Sequence, residues 1–168
     1  VLWVGGVKPW KQPELFIKLA RACENENAKF IMVGPATDER YLKKLEECAK
    51  GIKNFFYVGE VNYFQTEKFF KEASIFVSTS SEEGLPTVFL QACANCVPIV
   101  SLNSNPNDML SKNKIGFFCG GSFEEFVEKV KYLLRYPEIC KQYGENAQRF
   151  AEREFNLKST IDKLEKIF

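Results

Sequence analysis

The sequence predicts an α/β fold: a Rossmann-like, doubly wound parallel sheet of about six strands flanked by helices. Three observations carry this. Short apolar segments alternate with amphipathic ones along the whole chain. The apolar segments are hydrophobic at consecutive positions, as strands covered on both faces require. The connections are short, so each strand–helix–strand unit closes as a right-handed crossover.

The strand segments are residues 1–5, 29–33, 55–58, 75–78, 98–102 and 116–119. The first, VLWVG, alternates Trp3 into the core. A helix over 13–24 opens on Pro13, whose missing N–H costs nothing in a first turn. Leu15, Phe16, Leu19 and Ala20 then recur at helical spacing. A helix over 38–50 carries Asp38, Glu39, Glu46 and Glu47 with Lys43, Lys44 and Lys50, a solvated face with charge pairs one turn apart. Shorter helices are expected over 66–72, 86–94 and 107–111. Ser122 and Glu125 form a capping-box pattern ahead of Phe126, Val127, Val130, Leu133 and Leu134. Residues 136–168 read as helical, with Leu157, Ile161, Leu164 and Ile167 in one apolar stripe.

The 168 residues suit a single domain with one substantial core. A net charge of +1 provides no broad field for nucleic acid, so no nucleic-acid partner is expected. No apolar run approaches the ~20 residues a bilayer span needs. The chain opens at Val1 already inside a strand-like segment, and we expect sequence to precede it. Histidine is absent, which removes the commonest general base and metal ligand. Of six cysteines only Cys93 and Cys96 show CxxC spacing. They close an apolar helix, whereas a redox pair opens one, so buried reduced thiols are expected and metal binding is not.

Ligands of such sheets bind outside the carboxyl ends of the strands, so the informative loops are 5–12, 34–38, 59–65, 79–85 and 103–108. The first, GGVKPWK, has glycines that admit close approach and ends on Lys11 just before a helix. Lys11 there is either a point charge for a phosphate or a solvated lysine beside a tight turn. Trp10 either lines the cleft or meets a second domain. Neither a dinucleotide fingerprint nor a P-loop is present. The third loop, with Val61, offers backbone groups to a base edge or is a plain turn. In the fourth, Glu82 is expected at the surface, while Glu83 before Gly84 is placed to point inward. In the helix that follows, Thr87, Gln91 and Asn95 recur every four residues. They mark either an exposed edge or a ligand-facing stripe of which Thr87 and Gln91 face the cleft and Asn95 caps the helix end.

From residue 80 to 101 the chain reads SSEEGLPTVFLQACANCVPIVS. This resembles the signature block of the group 1 (family 4) retaining glycosyltransferases, with its glutamate–glycine–x–proline turn and a second glutamate eight residues after the first. Val4–Gly5 with Lys11, Met32–Gly34, YVGEV over 57–61, residues 73–77 and residues 116–118 are similar in the same order. The resemblance spans essentially the whole chain. It implies the C-terminal, donor-binding half of the two-Rossmann-domain GT-B architecture, the N-terminal acceptor domain lying outside this sequence.

Site residues follow from the resemblance. Glu83 matches the first glutamate, which contacts hydroxyls of the transferred sugar. Gln91 matches the second, which holds the ribose. Lys11 matches the lysine that neutralises the donor diphosphate. The backbone at Val61 matches the base-binding turn, and backbone amides of Gly84, Leu85 and Thr87 lie near sugar and phosphates. Three positions depart from the pattern. Gly6 stands where the family has arginine, Gln91 where it has glutamate, and Ser104 and Asn105 where it has paired glycines. Loss of one charged phosphate contact costs ~1.5–3 kcal/mol, and Lys8 is the candidate replacement.

The resemblance implies a hexosyltransferase taking a UDP-sugar or GDP-sugar, with no further cofactor and no metal, and passing the sugar to a glycan or lipid-linked acceptor. Surface-polysaccharide assembly, and a cytoplasmic location with peripheral contact at the inner membrane face, are the matching expectations. The rival reading is a non-catalytic relative that uses the fold for interaction or regulation, favoured by Gly6 and Gln91. A third class, an unrelated flavodoxin-like or receiver module, is disfavoured, because a receiver needs an acidic cluster after its first strand and residues 1–11 contain no acid.

Overall fold

The computed structural model describes residues 1–84 and 86–155. Six strands form one all-parallel sheet in the order β3-β2-β1-β4-β5-β6. They are β1 (Leu2–Val4), β2 (Phe30–Val33), β3 (Phe55–Gly59), β4 (Phe76–Ser78), β5 (Ile99–Ser101) and β6 (Gly116–Phe118). Helices α1 (Pro13–Ala22), α2 (Glu39–Ala49), α3 (Tyr63–Glu72), α4 (Thr87–Ala94) and α5 (Met109–Lys112) make the crossovers. Helices α6 (Phe123–Arg135) and α7 (Pro137–Phe155) follow the last strand. The expected doubly wound sheet is present. The apolar stripe expected over 157–167 lies outside the described residues.

The pleat splits neighbouring residues between two cores. Trp3, Met32, Val77 and Val100 face one cluster, with Phe16 of α1, Leu45 of α2 and Phe126 of α6. Leu2, Phe76 and Ile99 face the other, with Phe70 of α3, Phe89 of α4 and Ala147 of α7. Consecutive buried positions in the central strands are the reason these segments read as unbroken apolar runs.

Strand β3 departs from that expectation. Phe55 and Tyr57 pack on the α1/α2 side, but Phe56 and Val58 are 45% and 43% exposed. It is an edge strand, and among the described residues its other face is left largely exposed.

Local chemistry sets the helix ends. Asp38 caps α2 by accepting the Arg40 and Tyr41 N–H groups, at 2.9 and 3.0 Å. Helix α3 begins at Tyr63, not Thr66, because Asn62 and Gln65 complete a reciprocal capping box. Ser122 accepts the Glu125 N–H at 3.2 Å, which is the N-cap half of the box expected for α6. The segment expected as a helix over 107–111 is instead a 3-10 turn, Pro106–Asp108, followed by the short α5. Asn107 and Asp108 both take left-handed backbone angles there, φ 50° and 56°.

Two glycines permit close approaches, the first at the carboxyl edge of the sheet and the second at the opposite edge. Gly34 (φ 145°) ends β2, and a Cβ there would sit 1.8 Å from the Gly5 carbonyl oxygen. Its absence lets the first loop bond to the end of β2, through Gly5 N–H to the Val33 carbonyl at 3.0 Å and Val7 N–H to the Pro35 carbonyl at 2.8 Å. Gly144 lets α7 cross the turn after α4; a Cβ would lie 2.1 Å from the Cys96 carbonyl oxygen.

Candidate functional site

Strand order reverses between β1 and β4. Successive strands run outward from β1 to β3 on one side and from β4 to β6 on the other. The crossovers leaving β1 and β4 therefore go to opposite sides and open a crevice at the carboxyl edge. The first and fourth loops meet there, and hydrogen bonds lock them together.

The buried Trp3 indole N–H donates to Thr79 Oγ1 at 2.9 Å. Thr79 Oγ1 donates in turn to the Lys11 carbonyl at 2.6 Å. Ser81 donates both its N–H (2.8 Å) and its hydroxyl (3.1 Å) to the Trp10 carbonyl. Asn103, from the loop after β5, donates to the Ser80 carbonyl at 3.2 Å and to Gln12 Oε1 at 3.3 Å.

On this frame the Lys11 ammonium pairs with Glu83 Oε1 across 72 residues of sequence. The same carboxylate oxygen accepts the Ser80 hydroxyl at 2.8 Å. The two charged side chains are 23% and 17% exposed, so each has one flank open to ligand or solvent. Glu82 is exposed, as its neighbouring position in the loop leads one to expect.

Two helix N-termini follow these residues closely in the chain. Pro13 opens α1 after Gln12, and Pro86 precedes α4; neither N-cap residue makes a side-chain capping bond. Orphan N–H groups and the positive dipole ends of both helices are thus available to an anion. A Cβ on Gly84 would meet nothing within 4 Å, so open space adjoins the loop backbone.

The other expected residues are placed as follows. Thr87 is the exposed first residue of α4. Gln91 lies one turn further in, half-buried, and its carbonyl accepts the Asn95 side-chain amide at 2.9 Å. Asn95 is therefore the helix C-cap, as its position in the stripe implied. Among the described residues neither the Thr87 nor the Gln91 side chain joins the hydrogen-bond network linking Lys11 and Glu83. Val61 packs against the α3/α4 core beside the third loop. Leu85 lies outside the described residues. Gly6 is covered by the aliphatic stem of Lys8, with 3.5 Å from an added Cβ to Lys8 Cε. The Lys8 ammonium sits 4.9 Å from the centre of the Trp10 ring, which is 53% exposed at the rim.

Sequence reasoning missed Trp3, Thr79, Ser80, Ser81 and Asn103 as parts of the site. The available signal was the Thr-Ser-Ser run at the end of β4. Thr79 and Ser80 are buried there, and buried hydroxyls must find partners.

The CxxC pair lies far along α4. Burial pushes the Cys93 thiol up to about 12, opposite to the shift a redox thiol needs. Cys96 is exposed, contrary to the buried thiol expected, because it lies in the turn beyond α4; partial desolvation, then Glu152 and Glu145, raise its pKa, and its thiol contacts Gln148 Oε1 at 3.1 Å. Among the described residues no group of three His, Cys, Asp or Glu side chains is arranged around a common metal position.

Comparison with known proteins gives the lineage. An uncharacterized glycosyltransferase of Haemophilus influenzae is 25% identical over 170 residues, which is 97% of this chain and 47% of that protein. The chain thus spans about half the length of this relative. The C-terminal domain of the group 1 glycosyl transferase LpcC from Francisella tularensis superposes with a TM-score of 0.83 at 17% identity, covering 93% of this chain and 86% of that one. Anabaena HepE in complex with UDP also gives 0.83 at 17% identity, covering 99% of this chain and 47% of that one. At these identities the structures show the shared fold alone. The profile of the family "Glycosyl transferases group 1" matches residues 1–150, and the chain is a member of that family.

Proposed function

We propose that this chain is the donor-binding half of a retaining glycosyltransferase, one that moves a hexose from a nucleoside-diphosphate sugar to a glycan or lipid-linked acceptor. The observation that carries the reading is the meeting of Lys11 and Glu83 at the strand-order reversal, each followed closely in the chain by a helix N-terminus without a side-chain cap. Cleaving a glycosyl–phosphate bond leaves negative charge on the departing diphosphate and positive character on the sugar. Lys11 and the N-termini of α1 and α4 supply preorganised positive potential for the first. Glu83 supplies a carboxylate that accepts sugar hydroxyls and orients the ring for the second. These groups act without a metal in this scheme. The relative crystallised with UDP, which shares this fold, supports a uridine nucleotide as the first ligand to try.

The remaining contacts belong to the same reading. Gln91 pairs with ribose hydroxyls through a neutral amide, and the Val61 backbone meets the base edge. The amides of Gly84, Leu85 and Thr87 approach the sugar and phosphates. Gly6 brings no cation, and Lys8, whose aliphatic stem lies over it, is the candidate to replace the missing arginine. The acceptor side of the cleft comes from an N-terminal domain of the same protein. No helix among the described residues is long and apolar enough to cross a membrane. A cytoplasmic enzyme touching the membrane peripherally fits a lipid-linked acceptor.

Calorimetric titration of the full-length protein with UDP, GDP and their sugars tests the proposal. One nucleotide is expected to bind saturably and its sugar more tightly. Absence of binding to every nucleotide at millimolar concentration overturns it. Gly6 and Gln91 favour a second reading, a family member that binds partners and transfers no sugar. Nucleotide binding without transfer to any glycan or lipid acceptor, unchanged by Glu83→Ala, would support that reading instead.

A further inference from the structure

We infer that Thr79 is a positioning residue for Lys11, and that the Thr79-Ser80-Ser81 run sets the geometry of diphosphate recognition. The inference rests on the donor-site reading and goes beyond it, because none of these three side chains is needed to touch the donor.

The direction of each bond is forced. An indole N–H can only donate, so Trp3 occupies an acceptor position on Thr79 Oγ1. The single Thr79 hydroxyl proton is left for the Lys11 carbonyl, 2.6 Å away. Trp3 and Thr79 are 2% and 0% exposed, so water does not substitute for either group. The next residue, Ser80, donates to Glu83 Oε1, since an ionised carboxylate only accepts. Ser81 donates twice to the Trp10 carbonyl, one residue before Lys11. Three consecutive residues leaving β4 thus hold the backbone of residues 10 and 11 and the carboxylate of residue 83.

This arrangement answers a mechanical problem. Lys11 ends a 3-10 turn, and the next residue, Gln12, has left-handed backbone angles (φ 48°, ψ 51°) before α1 begins. A flexible four-carbon stem on such a turn places its charge loosely. Tying the Lys11 carbonyl to β4 fixes the root of that stem in the frame that carries Glu83. Diphosphate and sugar recognition then share one rigid reference across the crevice. A tight site needs its charged groups held within fractions of an ångström by locked supports.

The test compares Thr79→Val, which keeps the shape and removes the hydroxyl, with Thr79→Ser, which restores it, in the full-length protein. Ser81→Ala is the second probe, since Ser81 is exposed and its loss does not threaten folding. UDP, uridine, GDP and guanosine are titrated by calorimetry alongside thermal unfolding. For the base that the wild type accepts, Thr79→Val is expected to weaken the diphosphate about tenfold and leave the nucleoside unchanged. Ser81→Ala is expected to do the same about threefold, and Thr79→Ser to recover most of the loss. In turnover assays KM for the donor rises more than kcat falls.

A purely structural role predicts something else: a lower melting temperature with the diphosphate-to-nucleoside affinity ratio unchanged. That result in Thr79→Val, or in Ser81→Ala should Thr79→Val fail to fold, overturns the assignment. Wild-type protein that binds neither diphosphate overturns the donor reading itself and this assignment with it. Wild-type binding with unaltered variants overturns this assignment alone.

Discussion

Replacing Glu83 by glutamine keeps the side chain's shape and its bond from Ser80 but removes the charge that holds Lys11. On the proposed donor-site reading that pair competes with the donor, because the ammonium would turn from the carboxylate to the phosphates. Opposite unit charges about 4 Å apart near a protein surface attract by about 4 kcal/mol at an effective dielectric constant of about 20. Lost hydration and side-chain ordering cancel most of this, and a pair with one flank open to solvent returns about 1 kcal/mol. Glu83→Gln should therefore lower unfolding stability by about 1 kcal/mol. It should also raise affinity for the free nucleoside diphosphate by a similar amount, about fivefold. Removing a negative charge beside a polyanion acts in the same direction. The sugar loses its charged partner, so the nucleotide-sugar should no longer bind more tightly than the diphosphate. Calorimetry on the full-length wild type and variant reads all three quantities when paired with urea unfolding. A folded Glu83→Gln variant that binds the diphosphate no better than wild type refutes the competition argument.

Other expected outcomes test the packing and the thiols. Gly144→Ala forces α7 off the Cys96 carbonyl and should destabilise by about 1–3 kcal/mol in urea unfolding; an unchanged midpoint contradicts the close approach. In the native protein a thiol-specific disulfide reagent should label Cys48 and Cys96 only, Cys96 more slowly because its pKa is raised. Labelling of Cys23, Cys93, Cys119 or Cys140 before unfolding would contradict their burial. Burial pushes Cys93 and Cys119 up to about 12 and Cys23 to about 11, from an ordinary value of 9.0. The unfolded chain therefore loses these protons first. The stability they contribute is complete below pH 9 and is lost as pH rises toward the folded values, by up to ~1.4 kcal/mol per unit for each group. Unfolding free energies measured between pH 8 and 11 should fall with pH, and fall less steeply in Cys93→Ala.

The elements were legible because their signals are local. Pro13, Asp38 and Ser122 mark helix starts within a few residues of where they occur, and the six strand segments stand where the apolar runs stand. The errors were also local in origin. The Asn62–Gln65 box pulls α3 three residues earlier, and the left-handed Asn107 and Asp108 break the expected helix after β5. Exposure of Phe56 and Val58 was not legible, since edge and central strands share one composition until the strand order is known.

Lys11, Glu83, Gln91 and the loops that carry them were legible as candidates. Residue types at strand ends, together with the likeness of 80–101 to the family block, sufficed for that. What the chain alone determined is the list of parts: alternating strands and helices, a proline opening the first helix, one ammonium and one carboxylate at strand ends. Only the tertiary structure decided that the ammonium and carboxylate meet, and that a Thr-Ser-Ser run and a buried indole hold them there. The reason is range. Periodicity and capping act over one or two helical turns. The Lys11–Glu83 contact spans 72 residues and exists because β1 and β4 pair side by side, with Leu2 opposite Phe76.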